Sequence, residues 1–224
     1  MRYYISDLHF YHRNLNTMMD KRGFESVEAM NEYMILKWNS RVRRNDEVVI
    51  LGDFSLEKGE KTNDLLRMLN GHKSLIVGNH DYYLKDKAFD ISLYDRIEPY
   101  MELNDNKRRI ILSHYPIFCY DGQYRRDEAG NPKTYMLYGH VHNTYDEVLV
   151  NHFQKVTREQ KRQTAHSEEA QSIPCNMINC FCMFSDYIPL TLDEWIELDR
   201  KRRTTIPDLS EYQDDWMENL DENP

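Results

Sequence analysis

Tyr135-Met136-Leu137-Tyr138-Gly139-His140-Val141-His142 decides how this sequence is read. Four residues suited to a buried strand run into a glycine, and two imidazoles follow two positions apart. Near the N-terminus, Ser6-Asp7-Leu8-His9 repeats the form after Arg2-Tyr3-Tyr4-Ile5. Side chains at i and i+2 of an extended strand end point the same way. Asp7 with His9, and His140 with His142, are therefore predicted to converge in pairs. Three more runs share the design: Val48-Val49-Ile50-Leu51-Gly52-Asp53, Leu75-Ile76-Val77-Gly78-Asn79-His80-Asp81 and Ile110-Ile111-Leu112-Ser113-His114. Five strand-like runs, each ending in His, Asp or Asn, are hard to explain by packing. A polynuclear metal centre at the strand ends explains them simply.

At 224 residues the chain is long enough to bury one sizeable core. No apolar run approaches the ~18 residues that span a bilayer. The first residues enter a strand at once, without the apolar region of a signal peptide, so a cytoplasmic location is expected. Cys119, Cys175, Cys180 and Cys182 are then expected as free thiols. A soft-metal site at Cys180-x-Cys182 with Cys175 is the lesser reading, since no second Cys/His pair has zinc-finger spacing. The net charge of −9 is uneven: from Pro207 on there are Asp208, Glu211, Asp214, Asp215, Glu218, Asp221 and Glu222 and no Lys or Arg. The division expected is a domain over 1–206, containing a helical insertion at 144–174, and an acidic tail over 207–224. The body should not repel small anions strongly, and no basic stripe suggests a nucleic-acid track.

Between the runs, Ser26 is a plausible N-cap for a helix to about Val42, with Val27, Met30, Met34, Trp38 and Val42 on one face. Thr62–Asn70 reads as a second helix stopped by Gly71. Strand, helix, strand, helix, strand is the rhythm of an α/β layered fold. Asp121 to Pro132 is a polar loop. Thr144 and Glu147 fit a capping box for a helix reaching toward Ala170, either a rim on the site or a solvated face. Met177–Met183 predicts a late strand, and Thr191 or Asp193 caps a last helix from Leu192.

The candidate ligands are thus Asp7, His9, Asp53, Asn79, His114, His140 and His142. Imidazole and carboxylate together suit Mn, Fe, Zn, Co or Ni. Seven ligands are too many for one ion, and two ions sharing a carboxylate use them well. Asp7-x-His9, Gly52-Asp53, Gly78-Asn79-His80-Asp81, His114 and Gly139-His140-x-His142 resemble, in order, the five motifs of the calcineurin-like metallophosphoesterase superfamily. The resemblance implies a four-layer α/β fold, a β-sandwich flanked by helices. It implies that Asp7, His9 and His142 hold one divalent ion, that Asn79, His114 and His140 hold another, and that Asp53 bridges them. His80 would stand at the leaving group. The stretch from Asn179 to Leu190 resembles the last core strand of such proteins, although Cys180, Phe181 and Cys182 are unexpected there.

The chemistry implied is in-line attack on phosphorus by a metal-bridging hydroxide, with His80 protonating the departing oxygen. Asp81 could orient a ligand or serve structure alone. His12 could meet the substrate phosphate or cap a loop. Arg13, Arg125 and Arg126 are possible phosphate clamps, though charged loop residues are usually solvated. His72, His152 and His166 read as surface residues, and Met30 and Met34 as core. The expected function is a dimetal phosphohydrolase acting on a small phosphomonoester or phosphodiester. Alternatives are a nuclease, a cyclic-nucleotide phosphodiesterase, or a silent scaffold on the same fold; the scaffold is disfavoured by the complete set of motif residues.

Overall fold

The structure is a computed structural model that describes residues 1–163 and 169–209. Strands β1 (Arg2–Ile5), β2 (Glu47–Ile50), β3 (His72–Ile76) and β4 (Arg96–Glu98) form a parallel sheet in that order. Strands β5 (Tyr100–Asp105), β6 (Arg108–Ser113) and β7 (Thr134–Tyr138) belong to a second sheet. In it β5 is antiparallel to β6, and β6, β7 and the late strand Met177–Asn179 run parallel. Between β7 and that strand lies a short antiparallel pair, β8 (Lys161–Arg162) with β9 (Gln171–Ser172), so the late strand is β10.

Period-two alternation divides the strand side chains among three cores. Tyr3, Ile5, Val48, Ile50 and Leu75 face helices α1 (Val27–Arg41) and α2 (Gly59–Met68), packing on Met30, Met34, Trp38, Leu65 and Leu66. Their neighbours Tyr4, Val49, Leu51 and Ile76 face the second sheet, meeting Ile110, Leu112, Leu137 and Ile178. The other face of the second sheet, with Ile111, Met136, Tyr138 and Met177, packs on Val150 of α3 (Tyr145–Glu159). Helix, sheet, sheet, helix gives the four layers. The last helix, α4 (Leu192–Arg202), puts Trp195 into the layer between the sheets, where its Nε1–H donates to Tyr4 O at 2.8 Å.

Several local expectations are corrected. Helix α1 starts as read, Ser26 Oγ accepting from Ala29 N at 3.0 Å. Helix α2 begins at Gly59 and stops at Met68 rather than running from Thr62 to Asn70. Helix α3 ends at Glu159, well short of Ala170; His166 lies outside the described residues, as does the tail after Leu209. The capping box at Thr144 does not form because Glu147 turns inward. Its buried carboxyl accepts from Tyr138 Oη at 2.9 Å and Asn179 Nδ2 at 3.0 Å. At α4 it is Thr191 that caps, with Glu194 completing the box. The late strand stops at Asn179 instead of Met183. The chain there leaves the second sheet for the edge of the first: Ser6 N donates to Cys180 O and Cys182 N to Ser6 O. Strand β5 carried no clear apolar pattern, and its hairpin to β6 turns on Asn106 and Lys107, both with positive φ (45° and 63°).

The cysteines follow the main expectation of free thiols, not the lesser one of a soft-metal site. All four cysteines are free, Cys180 and Cys182 are buried, and Cys182 Sγ donates to Asp7 O at 3.2 Å. Among the described residues, neither group of converging ligand atoms includes a thiol. No helix among them is long and apolar enough to cross a membrane.

Candidate metal centre

The motif residues follow the C-terminal ends of β1, β2, β3, β6 and β7, where parallel strands deliver five loops to one edge. They do not converge as extended strand ends, as the i, i+2 reading supposed. Asp7 (φ 54°), His9 (48°), Asp53 (54°), His140 (70°) and His142 (46°) all lie in the left-handed region. Non-glycine residues rarely hold that conformation, and such strain gathers at functional sites.

The seven side chains predicted as ligands are gathered together. Asp7, His9 and His142 form one group and Asp53, His114 and His140 another, the ligand atoms in each lying within 4.8 Å of one another. Asp53 Oδ2 joins them, 3.5 Å from Nε2 of both His9 and His114. Asn79 Oδ1 completes the second group, 2.9 Å from His114 Nε2 and 2.9 Å from His140 Nδ1. In the first, His9 Nε2 faces His142 Nε2 at 3.1 Å.

The ring tautomers are set from behind. His114 Nδ1 donates to Leu51 O at 2.8 Å, and His142 Nδ1 to Asp20 Oδ1 at 2.7 Å. Once its Nε2 is deprotonated, each ring turns a lone pair toward the centre. Carboxylate, carbonyl and imidazole acceptors thus crowd together in a buried space with few donors among them. A donor set of this kind fits a pair of divalent cations.

Asp81 holds the loops in register. Its buried carboxylate accepts from Asp53 N (3.1 Å), Phe54 N (2.8 Å) and Gly78 N (2.7 Å). This ties the second motif to the third, so the role of Asp81 is to position backbone. Two motif glycines are explained by space. A Cβ on Gly78 would lie 2.3 Å from Asp53 Oδ1, and one on Gly139 would lie 2.5 Å from Asp7 Oδ2. Gly78→Ala is expected to displace Asp53 and weaken metal binding by an order of magnitude or more, measured by calorimetric titration.

Protons occupy the centre when metal does not. Burial opposes charge on His114, but its hydrogen bond to Asp53 and the charges of Asp7 and Asp53 prevail and raise its pKa to about 9. Burial likewise works to raise Asp53, yet His114, His9 and the His80 N–H bring it to about 2. In the metal-free protein the His114 share of this pair is complete below about 6.5 and is lost as pH rises through about 9. Metal must displace that proton, so affinity is expected to climb by up to tenfold per pH unit over this window. Titrations in buffers of different ionisation enthalpy would count the released proton; uptake independent of pH would contradict the assignment.

His80 belongs to neither group. Its ring lies beside His9, centroids 5.3 Å apart, and its N–H donates to Asp53 Oδ1 at 2.7 Å. His12 also packs on His9, centroids 5.5 Å apart, its Nδ1 buried without a hydrogen-bond partner among the described residues. Arg126 is not a phosphate clamp: it donates to Gly130 O and Ser172 O. Arg125 lines a cleft with Lys107 and Lys133, at the N-terminal ends of β6 and β7 and thus away from the metal groups. Arg13 is an exposed residue of the turn Arg13–Asn16. His72 is a surface residue beside Asp95, and Met30 and Met34 are fully buried.

Sequence reasoning missed Tyr115, Asp20 and Arg22. Tyr115 is half exposed, its ring 4.5 Å from that of His140 and its hydroxyl 3.5 Å from Asn79 Oδ1. Its place directly after His114 was the only clue. Asp20 and Arg22 sit in the polar stretch before α1, where nothing in the spacing marks them.

Comparison with known proteins agrees with this geometry. The family profile described as calcineurin-like phosphoesterase matches residues 3–178, a span holding every motif named above. An uncharacterized protein from Methanocaldococcus jannaschii is 35% identical over 148 residues, covering 65% of this chain and 72% of its own length. The crystal structure of a protein of unknown function from Aquifex aeolicus is similar in fold. Its TM-score is 0.56 at 23% identity, over 88% of this chain and 98% of that one.

Proposed function

The chain belongs to the calcineurin-like phosphoesterase family, and from that we propose that it is a dimetal phosphohydrolase acting on a small phosphomonoester or phosphodiester. The observation that carries this reading is the placement of Asp53 Oδ2, equidistant from an imidazole of each group. One carboxylate oxygen so placed would serve two cations at once. Two divalent ions held there, drawn from Mn, Fe, Zn, Co or Ni, would supply a water of lowered pKa and neutralise phosphoryl oxygens.

The protein's own part is orientation and proton transfer. Asp7, His9 and His142 would hold one ion, and Asn79, His114 and His140 the other. Asp81 and the left-handed turns keep these groups in place before substrate arrives. His80, tethered through its N–H to Asp53, is free to donate a proton from its ring to the departing oxygen. His12 and Tyr115 stand beside the two groups, where a phosphoester would contact them.

A small substrate is proposed because the neighbours of the metal groups are imidazoles and a tyrosine, not a stripe of Lys and Arg. A reducing, cytoplasmic setting is proposed on the four unpaired cysteines. The test is turnover of an aryl phosphate monoester and diester with added Mn²⁺. Metal-dependent hydrolysis is expected, and its absence would favour a silent scaffold. His80→Asn is expected to lower kcat by about 10²- to 10⁴-fold with metal content unchanged. Full activity in that variant would remove His80 from the proton transfer.

A further inference from the structure

We propose that Asp20, anchored by Arg22, is the positioning residue that makes the first metal position, and that this position fails selectively without it. The proposal rests on the dimetal reading above. It starts from a stretch that no motif covers, Met18-Met19-Asp20-Lys21-Arg22. The side chains of Asp20 and Arg22 are 2% and 0% exposed. A buried acid and a buried guanidinium outside the motif set need a reason, because burying charge is costly unless it is paired and hydrogen-bonded.

Their bonds supply the reason. One Asp20 oxygen, Oδ1, accepts from His142 Nδ1 at 2.7 Å, and the other, Oδ2, accepts from Arg22 Nε at 2.9 Å. Arg22 then reaches into the first motif, Nη1 donating to Leu8 O at 2.7 Å and Nη2 to Asp7 O at 3.0 Å. The chain of contacts runs from the fifth motif to the first: His142 to Asp20, Asp20 to Arg22, Arg22 to the carbonyls of Asp7 and Leu8. It links ligands of one group only. In the second group, His114 is held by Leu51 O instead.

Both carboxylate oxygens are acceptors here, and an amide cannot replace them. With asparagine at position 20, either its NH₂ meets the Arg22 donor, or it meets His142 Nδ1. The second arrangement drives the ring proton to Nε2, the atom that must be bare to take a metal. Loss of such a partner weakens metal affinity by about 10- to 100-fold.

The experiment loads wild type and Asp20→Asn with Mn²⁺, removes free metal by gel filtration, and counts ions per chain by plasma mass spectrometry. Two ions are expected in wild type and one in Asp20→Asn, with Asp20→Glu recovering part of the second. Two ions held by Asp20→Asn with wild-type affinity would overturn the proposal. Loss of both ions from a folded variant would overturn it as well, because that result denies selectivity. Should Asp20→Asn fail to fold, ¹H–¹⁵N spectra of the wild-type holoprotein decide. The His142 proton is expected on Nδ1 and far downfield, and a proton on Nε2 sinks the proposal. A wild-type protein that takes up no metal would instead sink the dimetal reading beneath it.

Discussion

Asp53→Asn is expected to reduce metal-dependent phosphoester hydrolysis by about 10³-fold or more, roughly 4 kcal/mol of transition-state stabilisation. The reason is geometric. Asp53 Oδ2 is the atom shared between the groups, lying 3.5 Å from an imidazole nitrogen of each. An amide oxygen carries no full charge and cannot neutralise two cations. Its partner atom, Oδ1, also accepts from His80 N at 2.7 Å, so the change loosens the proposed proton donor along with the metals. The variant should fold, since Asp53 N and Phe54 N remain fixed by Asp81. Measured kcat/KM within tenfold of wild type would refute the shared-carboxylate arrangement.

Removing metal is expected to cost much of the protein's thermal stability. Ligand binding to the folded state adds RT ln(1 + [L]/Kd), about 2.7 kcal/mol for each ion at one hundred times its Kd. Two ions give roughly 5 kcal/mol, which for a domain of this size corresponds to a fall in Tm of about 10–20 °C on chelation. The strained turns favour the upper half of that range. Asp7, His9, Asp53, His140 and His142 hold left-handed backbone without the benefit of glycine, and metal bonds would offset that strain. Calorimetric scans with and without EDTA would show it. An unchanged Tm would mean that the ligand loops are held by protein contacts alone.

The metal centre was legible because its residues follow apolar runs that had to be strands. Once Tyr4, Val49, Ile111 and Leu137 were placed in strands, the residues just past them fell on one edge of two sheets. The manner of convergence was not legible. Left-handed φ at Asp7 or His140 is set by the loops around them. The extended-strand reading reached the Asp7–His9 pair by the wrong geometry and wrongly paired His140 with His142, which divide between the two groups. Strand β5, with Glu102, Asn104 and Asp105 among its six residues, has an outward face too polar for its pattern to stand out. Glu147 looked like a capping residue because three-residue spacing from Thr144 is the only local signal. Its actual partners, Tyr138, Asn179 and Arg202, are distant in sequence or on another element. Asp20 and Arg22 were hidden for the same reason: 122 positions separate Asp20 from His142.

The central claim is that seven side chains hold a pair of cations bridged by Asp53. Anomalous diffraction from Mn²⁺-loaded crystals tests it most directly. The account predicts two peaks about 3.5–4 Å apart, one bonded to Asp7, His9 and His142, the other to Asn79, His114 and His140, with Asp53 touching both. A single peak, or two peaks that do not share Asp53, would contradict it.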